Sequence, residues 1–462
     1  MGESSFTMRK SGNALSQITE GVIWKQLLIF FFPILLGTFF QQFYNTIDSI
    51  IVGRFVGKEA LASVGGSAAQ ILNLVIGFFT GLGAGASVII SQFYGARDAK
   101  GLNESLHTAY AFSIVGSVIM MILGIVFSPL LLRVMNTSKE LMAGSTGYLR
   151  IYFAGILFVF IYNIGSAILR ALGDSKRPLY YLIICCMLNV VLDLVFVIVF
   201  RMGVAGVAIA TVLAQAVSAV LVTRALIKSE DIYEFSLRNI RFHKRVLKSQ
   251  LYVGFPGGLQ SVMYSLSNII IQTALNGFGT NTTAAWAAFG KIDALFWMTS
   301  GAFGVAITTF VGQNYGAGKY DRVRKSVRVC LVMDAIATLA LVAFMFILRR
   351  FLFGIFTTDE EVIRIGIEML ELIAPCFITF LCIEVLSGAL RGISDVIIPM
   401  LLTMFGVCAL RILWVIFAVP LHHTISMVIM SYPIAWVTTS VLFVIYYLHR
   451  MKRLKPVRRD AR

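Results

Sequence analysis

Two acidic residues stand inside apolar stretches, where an ionised carboxylate is costly. Asp48 follows Tyr44 by four residues and Asp193 follows Asn189 by four, so each carboxylate has a polar neighbour one helical turn away. In a bilayer a carboxylate must be protonated, paired or bound to a cation, and we expect no Lys or Arg of the first half to pair with either acid. The spacing therefore predicts a site for a proton or a sodium ion. The alternative is that both acids line a wet vestibule and are coupled to nothing.

The second half of the chain carries a different set of charges inside its apolar stretches. These are Lys291, Asp293, Asp334, Glu384 and Arg411. Because both signs are present, mutual salt bridges would account for them. Contact with a polar or charged substrate is the other interpretation, and the sequence leaves both open.

A polar stripe on the seventh apolar stretch belongs to the same region. Gln260, Tyr264, Ser267 and Asn268 recur at helical spacing and therefore share one face. Inside a membrane protein such a face is expected to meet a cavity rather than lipid. We therefore predict a substrate cavity in the second half, lined by Gln260, Tyr264, Asn268, Lys291, Asp293, Glu384 and Arg411.

The elements that position these residues follow from composition. Of the 462 residues, 58% are hydrophobic and 13% are charged, and the mean hydropathy is +0.84. Soluble proteins contain about 25% charged residues, so the composition excludes a soluble enzyme. Twelve apolar stretches are long enough to cross a bilayer, and a spanning segment must satisfy its own backbone as a helix. The prediction is an all-α membrane protein with 12 transmembrane helices.

The charges in the connections predict the orientation of these helices. The termini and the connections on the same side hold 28 of the 39 Lys and Arg residues. The positive-inside rule therefore places both termini in the cytoplasm, with the chain in the plasma (inner) membrane as a multi-pass protein. The same rule accounts for the net charge of +16 without nucleic acid as a partner.

The sequence offers little to catalysis. The six cysteines lie inside apolar stretches without paired spacing, so we expect no disulfide and no cysteine metal site. The five histidines lie at or beyond helix ends, and no GxxxxGK[ST] sequence is present to bind ATP. A glycine-rich run, Gly81–Gly85, lies within an apolar helix, where small residues favour close helix packing. We predict that the chain is not an enzyme and has no cofactor.

The two halves of the chain repeat one another. At an offset of 221, Leu169-Arg170-Ala171 recurs as Leu390-Arg391-Gly392 and Gln92-Phe93-Tyr94-Gly95-Ala96 as Gln313-Asn314-Tyr315-Gly316-Ala317; at 223, Pro33 and Asn45 recur as Pro256 and Asn268. Six helices per copy make the repeat parallel, and two such lobes around a midplane cavity are typical of alternating-access transporters. We predict an N-lobe over residues 1–228, a basic cytoplasmic connection over 229–247 and a C-lobe over 248–462.

The departures from the repeat single out the first two acids. Asp48 aligns with Ile271, and Asp193 aligns with Trp414. Residues that only support the fold should recur in both lobes. The acids of the first half do not recur, which favours a specialised role for them.

Together these features resemble the multidrug and toxic-compound extrusion (MATE) transporters of prokaryotes. The resemblance covers essentially the whole chain and includes the segment Tyr44-Asn45-Thr46-Ile47-Asp48 and the two Gln-x-Tyr-Gly-Ala helix ends. It implies an N-lobe cation site formed by Asp48, Asn189, Asp193 and Thr211, with Tyr44 accessory to it and Pro33 at the bend of the first helix. The family's C-lobe cation site uses an acid on the seventh helix, and this chain has none there.

The resemblance also implies a function. MATE proteins are secondary active antiporters that export cationic, amphipathic drugs or metabolites in exchange for inward Na⁺ or H⁺, and thereby confer antibiotic resistance. Partners would be small organic cations and membrane lipid, with the chain acting as a monomer. A flippase of the same superfamily, moving a lipid-linked precursor, is the alternative; it would favour a cavity with several basic residues, and only Lys291 and Arg411 are available.

Overall fold

The computed structural model describes residues 18–229 and 231–454, and regular structure in that part of the chain is helical. Twelve long helices follow one another. They are α1 Ile23–Val56, α2 Lys58–Gly95, α3 Ala99–Val134, α4 Lys139–Ala154 with Ile156–Ala171, α5 Lys176–Val199, α6 Gly203–Ile227, α7 Lys244–Asn276, α8 Thr280–Gly316, α9 Tyr320–Ile347, α10 Glu360–Gly392, α11 Ile397–Phe417 and α12 Ile425–Lys452. Short helices, Leu237–Asn239 and Arg349–Gly354, lie in two of the connections.

The predicted all-α membrane fold is confirmed. Ten of the helices are individually long and apolar enough to span a bilayer, and α4 adds an eleventh as a pair bent by 52°. The remaining helix, α7, has 33 residues and is long enough to span, but its polar stripe and basic first turn lower its apolarity. Large apolar side chains remain exposed on the outer surface, among them Val126 at 61% and Phe405 at 66%, as lipid contact requires.

The two lobes have matching architecture. The break in α4 falls at Gly155, and α10 has a short 3₁₀ turn at Ala374–Cys376, which is the equivalent place 221 residues later. Between the lobes, α6 ends at Ile227 and α7 begins at Lys244. Part of the connection is packed, because Phe235 is buried and stacks on His107 of α3 at 5.2 Å.

The lobes meet chiefly where α2 packs against α7, and glycines set the distance. A Cβ atom on Gly81 would overlap the backbone of Gly257 and Gly258, and one on Gly85 would overlap the backbone of Gly254. Only residues without a side chain allow two helix backbones to approach so closely. The packing interpretation of the glycine-rich run is therefore correct at these two positions.

Hydrogen bonds tie the lobes together at the end where α2 and α8 finish, which we call the basic side after its connection between α6 and α7. Gln92 Nε2 donates to the carbonyl of Gly392 at 2.7 Å, and Gln313 Nε2 donates to the carbonyl of Ala171 at 2.7 Å. These are the same bond in the two copies of the repeat, since both partners shift by 221 residues. The basic side is closed by a symmetric pair of contacts.

Candidate cation site and substrate cavity

The residues predicted to bind a cation come together in the N-lobe, where α1 packs on α5 and α5 on α6. The carboxyl groups of Asp48 on α1 and Asp193 on α5 lie close enough to interact with each other. Asp193 is fully buried, and Asn189, one turn before it, is 1% exposed. Thr211 of α6 accepts a hydrogen bond from Asn189 Nδ2 at 3.4 Å and donates to the carbonyl of Val207 at 3.0 Å.

The oxygens of this cluster lack hydrogen-bond donors. Asp48 Oδ1, both carboxyl oxygens of Asp193 and Asn189 Oδ1 are buried, and none receives a hydrogen bond. Arg150 of α4 is exposed and donates to the carbonyl of Ile125 at 3.4 Å. Across residues 18–229 and 231–454, neither acid forms an ion pair. Two buried carboxyl groups without a counter-ion form a site for a small cation.

Tyrosines surround the acid pair. Tyr44 is 8% exposed and interacts with Asp48, and so do Tyr148 and Tyr152 of α4, whose rings lie 6.2 Å apart. The sequence indicated Tyr44 alone. Tyr148 and Tyr152 are spaced by one turn on α4, which is a signal, but aromatic residues at that spacing are more often ordinary core residues.

The two helices that carry the acids are irregular beside them. In α1, residues Val52–Val56 form a π-helical turn shortly after Asp48, and in α5 residues Val195–Val199 do the same just after Asp193. Such π turns are rare in proteins and frequently occur at functional sites. In the C-lobe the π turn lies elsewhere, at Met404–Ala409, before Arg411. The local distortion therefore accompanies the acids rather than the repeat.

Pro33 lies inside α1, between two different packing environments. Before it, Phe31 stacks on Phe303 of α8 at 4.1 Å, so the start of α1 is attached to the C-lobe. After it, the carbonyl of Phe40 accepts a weak hydrogen bond from Cys186 Sγ of α5 at 3.9 Å, within the N-lobe. Proline removes a backbone hydrogen bond from the helix interior. The weakest point of α1 thus separates its attachments to the two lobes.

A cavity of about 520 Å³ lies within the C-lobe. It is lined mainly by aromatic and polar side chains of α7, α8, α10, α11 and α12. These are Tyr264, Asn268, Gln272, Trp286, Phe289, Gly290, Asp293, Trp297, Phe380, Glu384, Arg411 and Tyr432. Five of the seven residues predicted to line a substrate cavity are therefore together here.

The other two predicted lining residues lie outside this cavity. Lys291 is exposed, because it precedes Asp293 by two residues and so lies near the opposite face of α8. Gln260 lies one turn before Tyr264 on α7 and lines a smaller pocket with Pro256 and Arg391. Placing either residue on the cavity wall was wrong for this structure, since position within an apolar stretch does not give depth or facing.

Salt bridges do not explain the charges of the C-lobe. In the described part of the chain, none of these groups has an oppositely charged side chain within 4 Å. Arg411 instead donates to Asn268 Oδ1 at 2.8 Å and lies 4.1 Å above the ring of Tyr432. Asp334 lies outside the cavity, fully buried, and accepts from Thr338 Oγ1 at 3.3 Å.

A small cavity of about 130 Å³ lies between the lobes, lined by α2, α3, α4 and α8. Arg170 is the charged residue on its wall, beside Asn163 and Ser113. The sequence treated Arg170 as a charge at a helix end, because it closes α4. Nothing in its spacing distinguishes a base that turns into the protein from one that remains in a loop.

Metal chemistry finds no support in the described residues. They contain no group of three or more His, Cys, Asp or Glu side chains that could hold a metal ion. The six cysteines are free thiols, four of them buried. The candidate ligands for Na⁺ are the oxygens of the N-lobe cluster.

Comparison with known proteins identifies the family. The model of the family described as MatE matches residues 33–195 and again residues 256–417, one match in each lobe. The chain belongs to the MatE family. Because the two matches begin at Pro33 and Pro256, they coincide with the internal repeat. A MatE protein is a membrane transporter, and this supports the prediction that the chain is not an enzyme.

Relatives of this MatE protein match it along nearly its whole length. It is 27% identical over 446 residues to the probable multidrug resistance protein YoeA of Bacillus subtilis, covering 94% of this chain and 96% of that protein. It is 31% identical to the probable multidrug resistance protein YpnP of Bacillus subtilis, covering 85% and 88%. A solved structure of a multidrug resistance MATE family transporter in an outward-facing conformation matches with a TM-score of 0.88 at 24% identity, covering 96% and 99%, and shows the same fold.

Proposed function

We propose that this MatE protein is a secondary active antiporter that exports cationic, amphipathic compounds in exchange for inward Na⁺ or H⁺. The coupling cation binds at Asp48 and Asp193 in the N-lobe. The names of the relatives, multidrug resistance and multidrug export proteins, support the class of cargo. The protein acts as a monomer in the plasma membrane, with both termini in the cytoplasm.

One observation carries the proposal: the buried oxygens of Asp48, Asp193 and Asn189 have no donors. Two adjacent carboxylates repel each other, and burying them without a counter-ion costs several kcal/mol. A proton held by the pair or a sodium ion held by its oxygens removes that cost. The cluster is therefore stable when loaded and unstable when empty, as a coupling site must be.

The position of Pro33 supports a route from cation binding to cargo release. Asp48 lies after the proline, in the part of α1 that packs on α5, whereas the part before it packs on α8 of the C-lobe. A cation entering from outside draws α1 toward Asp193. The bend or shift at Pro33 then changes the contact between the lobes and shrinks the cavity, which releases the cargo.

The energy available is sufficient for export. A positive charge moving inward through 100 mV supplies about 2.3 kcal/mol. This corresponds to a concentration ratio near ~50-fold per cation. One or two cations per cycle therefore sustain useful efflux.

The test is transport in proteoliposomes with Na⁺ and H⁺ gradients imposed separately and a cationic fluorescent dye as cargo. We expect one gradient to drive transport in the wild type, and Asp48→Asn and Asp193→Asn to abolish that drive. Asp321→Asn is the matched control, since Asp321 is an exposed acid at the start of α9, paired with Arg324. Wild-type rates in both N-lobe variants would disprove the site.

The flippase alternative rests on Arg170, an unpaired base on the wall of the cavity between the lobes. An anionic head group would need such a base, although a single one is a weak attraction for a highly charged group. The same vesicles distinguish the two functions. Transport of a fluorescent anionic lipid without transport of the dye would replace the export proposal.

A further inference from the structure

The C-lobe cavity is large enough for an organic molecule of drug size. Its volume of about 520 Å³ falls in the range of ligand pockets, roughly 300 to 1,000 Å³. Its aromatic walls are already assembled: Trp286 stacks on Phe289 at 5.4 Å, and Trp297 meets Phe380 edge-on at 4.7 Å. A flat aromatic ring is the shape that such walls accommodate.

One end of the cavity carries an acid with a free oxygen. Asp293 Oδ2 accepts a hydrogen bond from Trp297 Nε1 at 2.7 Å, which fixes the carboxyl group. Its other oxygen, Oδ1, is buried and has no hydrogen-bond partner. Lys291, two residues away, is exposed on a different face. The negative charge of Asp293 is therefore oriented by the protein and not neutralised by it.

A base with spare donors lines the same cavity. Arg411 is 2% exposed, and only its bond to Asn268 is made by a protein acceptor, while Tyr432 lies against its guanidinium plane. Arg411 Nε is buried without a partner. A guanidinium group has five N–H donors, so most of its capacity is unused. Asn268 and Tyr432 hold its position but do not supply a negative charge.

The acid and the base do not pair with each other, although both line one cavity. Mutual pairing is the simplest way to lower the cost of two buried charges, and within the described chain no acid lies within 4 Å of Arg411. Glu384 also lines the cavity, but its carboxyl group packs against Gly304 of α8. The unsatisfied groups that remain are one acceptor and one donor.

We propose that this cavity is a binding site for aromatic zwitterions, with a cationic amine at Asp293, an anionic group at Arg411 and the ring between the aromatic walls. The proposal narrows the cargo of the exporter proposed above and rests on that function for its role in transport. Binding itself does not depend on the coupling site in the N-lobe. A purely cationic compound would leave the donors of Arg411 unpaired, and a purely anionic one would leave Asp293 unpaired.

The test is equilibrium binding to the full-length protein in lipid nanodiscs with three fluorescent probes that share one ring system. The probes are a piperazinyl-naphthoic acid, which is a zwitterion, its methyl ester, which is a cation, and its N-acetyl derivative, which is an anion. A charge-assisted hydrogen bond contributes about tenfold or more in affinity. We expect the wild type to bind the zwitterion at least about tenfold more tightly than either derivative.

Two variants assign each end of the probe to a residue. Asp293→Asn should weaken the acid and its ester by about tenfold and leave the N-acetyl derivative unchanged. Arg411→Gln should weaken the acid and its N-acetyl derivative by the same factor and leave the ester unchanged. Lys291→Gln is the matched control on α8 and should change none of the three. Since Arg411 is buried, Arg411→Lys is the second variant, and it should retain partial binding of the N-acetyl derivative.

Three results would overturn the proposal. One is equal wild-type affinity for the acid and its ester, another is preference for either derivative, and the third is an equal loss of all three probes in correctly folded variants. Asp48→Asn separates this proposal from the preceding one. It should bind the zwitterion normally even though it no longer couples transport to a cation.

Discussion

The N-lobe and the C-lobe share a fold and place their charges at different positions. Where the N-lobe has Asp48, the C-lobe has Ile271, which is 1% exposed. Where the N-lobe has Asp193, the C-lobe has Trp414, whose Nε1 donates to the carbonyl of Met427 at 2.8 Å. The fold thus accepts apolar and aromatic side chains at both places. The acids of the N-lobe are there for a purpose other than folding.

The reverse comparison gives the same answer. Asp334 and Glu384 of the C-lobe stand 221 residues after Ser113 and Asn163, which line the cavity between the lobes. Each lobe therefore carries acids where the other carries neutral residues. Duplication supplied one scaffold twice, and the charges divide it into a lobe with a sealed acid pair and a lobe with an aromatic cavity.

The largest expected effect comes from moving an acid across the repeat. Ile271→Asp would place a carboxyl group at a buried position without a second acid to share a proton, and should lower the free energy of unfolding by about 3 kcal/mol. Asp48→Ile should leave the stability unchanged or increase it, because it removes a buried charge. Thermal unfolding of the purified protein in detergent measures both.

Ile271→Val is the control for loss of packing at the same site and should cost only about 1 kcal/mol. If Ile271→Asp were as stable as Ile271→Val, the C-lobe would tolerate an acid at this position. The contrast between the lobes would then say nothing about function.

The helices that join the lobes differ in a second way. On one side α7 lies against α2 through glycines, backbone to backbone. At the equivalent contact on the other side, α1 meets α8 through aromatic rings, such as Phe30 against Phe310 at 6.1 Å. Side chains can adjust their rotamers, whereas touching backbones cannot. This difference favours α1 as the helix that moves and α7 as the one that stays.

Two glycines of α2 test the fixed contact. Gly81→Ala should force α2 and α7 apart and lower the free energy of unfolding by about 1 to 3 kcal/mol, as overpacking does. Gly83→Ala, on the same helix, should have little effect, because the nearest atom to its added Cβ is Ile164 Cδ1 at 3.7 Å. Thermal unfolding of the two variants side by side gives the difference. Equal melting temperatures would show that the glycine contact does not hold the lobes together.

The next effect concerns the two prolines that the repeat pairs. Pro33→Ala should restore a backbone hydrogen bond in α1 and slow ion-driven transport by about tenfold, since conformational steps often limit turnover. Pro256→Ala should change the rate little, because α7 is fixed on α2. Initial rates of dye transport in proteoliposomes compare them. A greater loss in Pro256→Ala would assign the moving helix to the other lobe.

Parts of this asymmetry could be predicted from the sequence, and parts could not. The acids Asp48 and Asp193 stood out because a bilayer leaves few explanations for an ionisable group. Tyr148 and Tyr152 beside them did not, because aromatic residues are common in every membrane helix. The repeat gave the lobes and their order, but Lys291 and Arg170 show that sequence position alone does not decide which face of a helix turns inward.

The smallest expected effect concerns the contacts that the lobes do share. Gln92→Ala and Gln313→Ala each remove one equivalent hydrogen bond across the basic side, and each should favour its opening by about 1 kcal/mol. Gln92 also donates to Ser394 Oγ at 2.9 Å, so its replacement should have the somewhat larger effect. Distances between spin labels across the basic side would report the opened fraction, with Gln70→Ala on the exposed face of α2 as the control. If only one glutamine mattered, the basic side would be held by one lobe, and the symmetry of these two bonds would have no mechanical meaning.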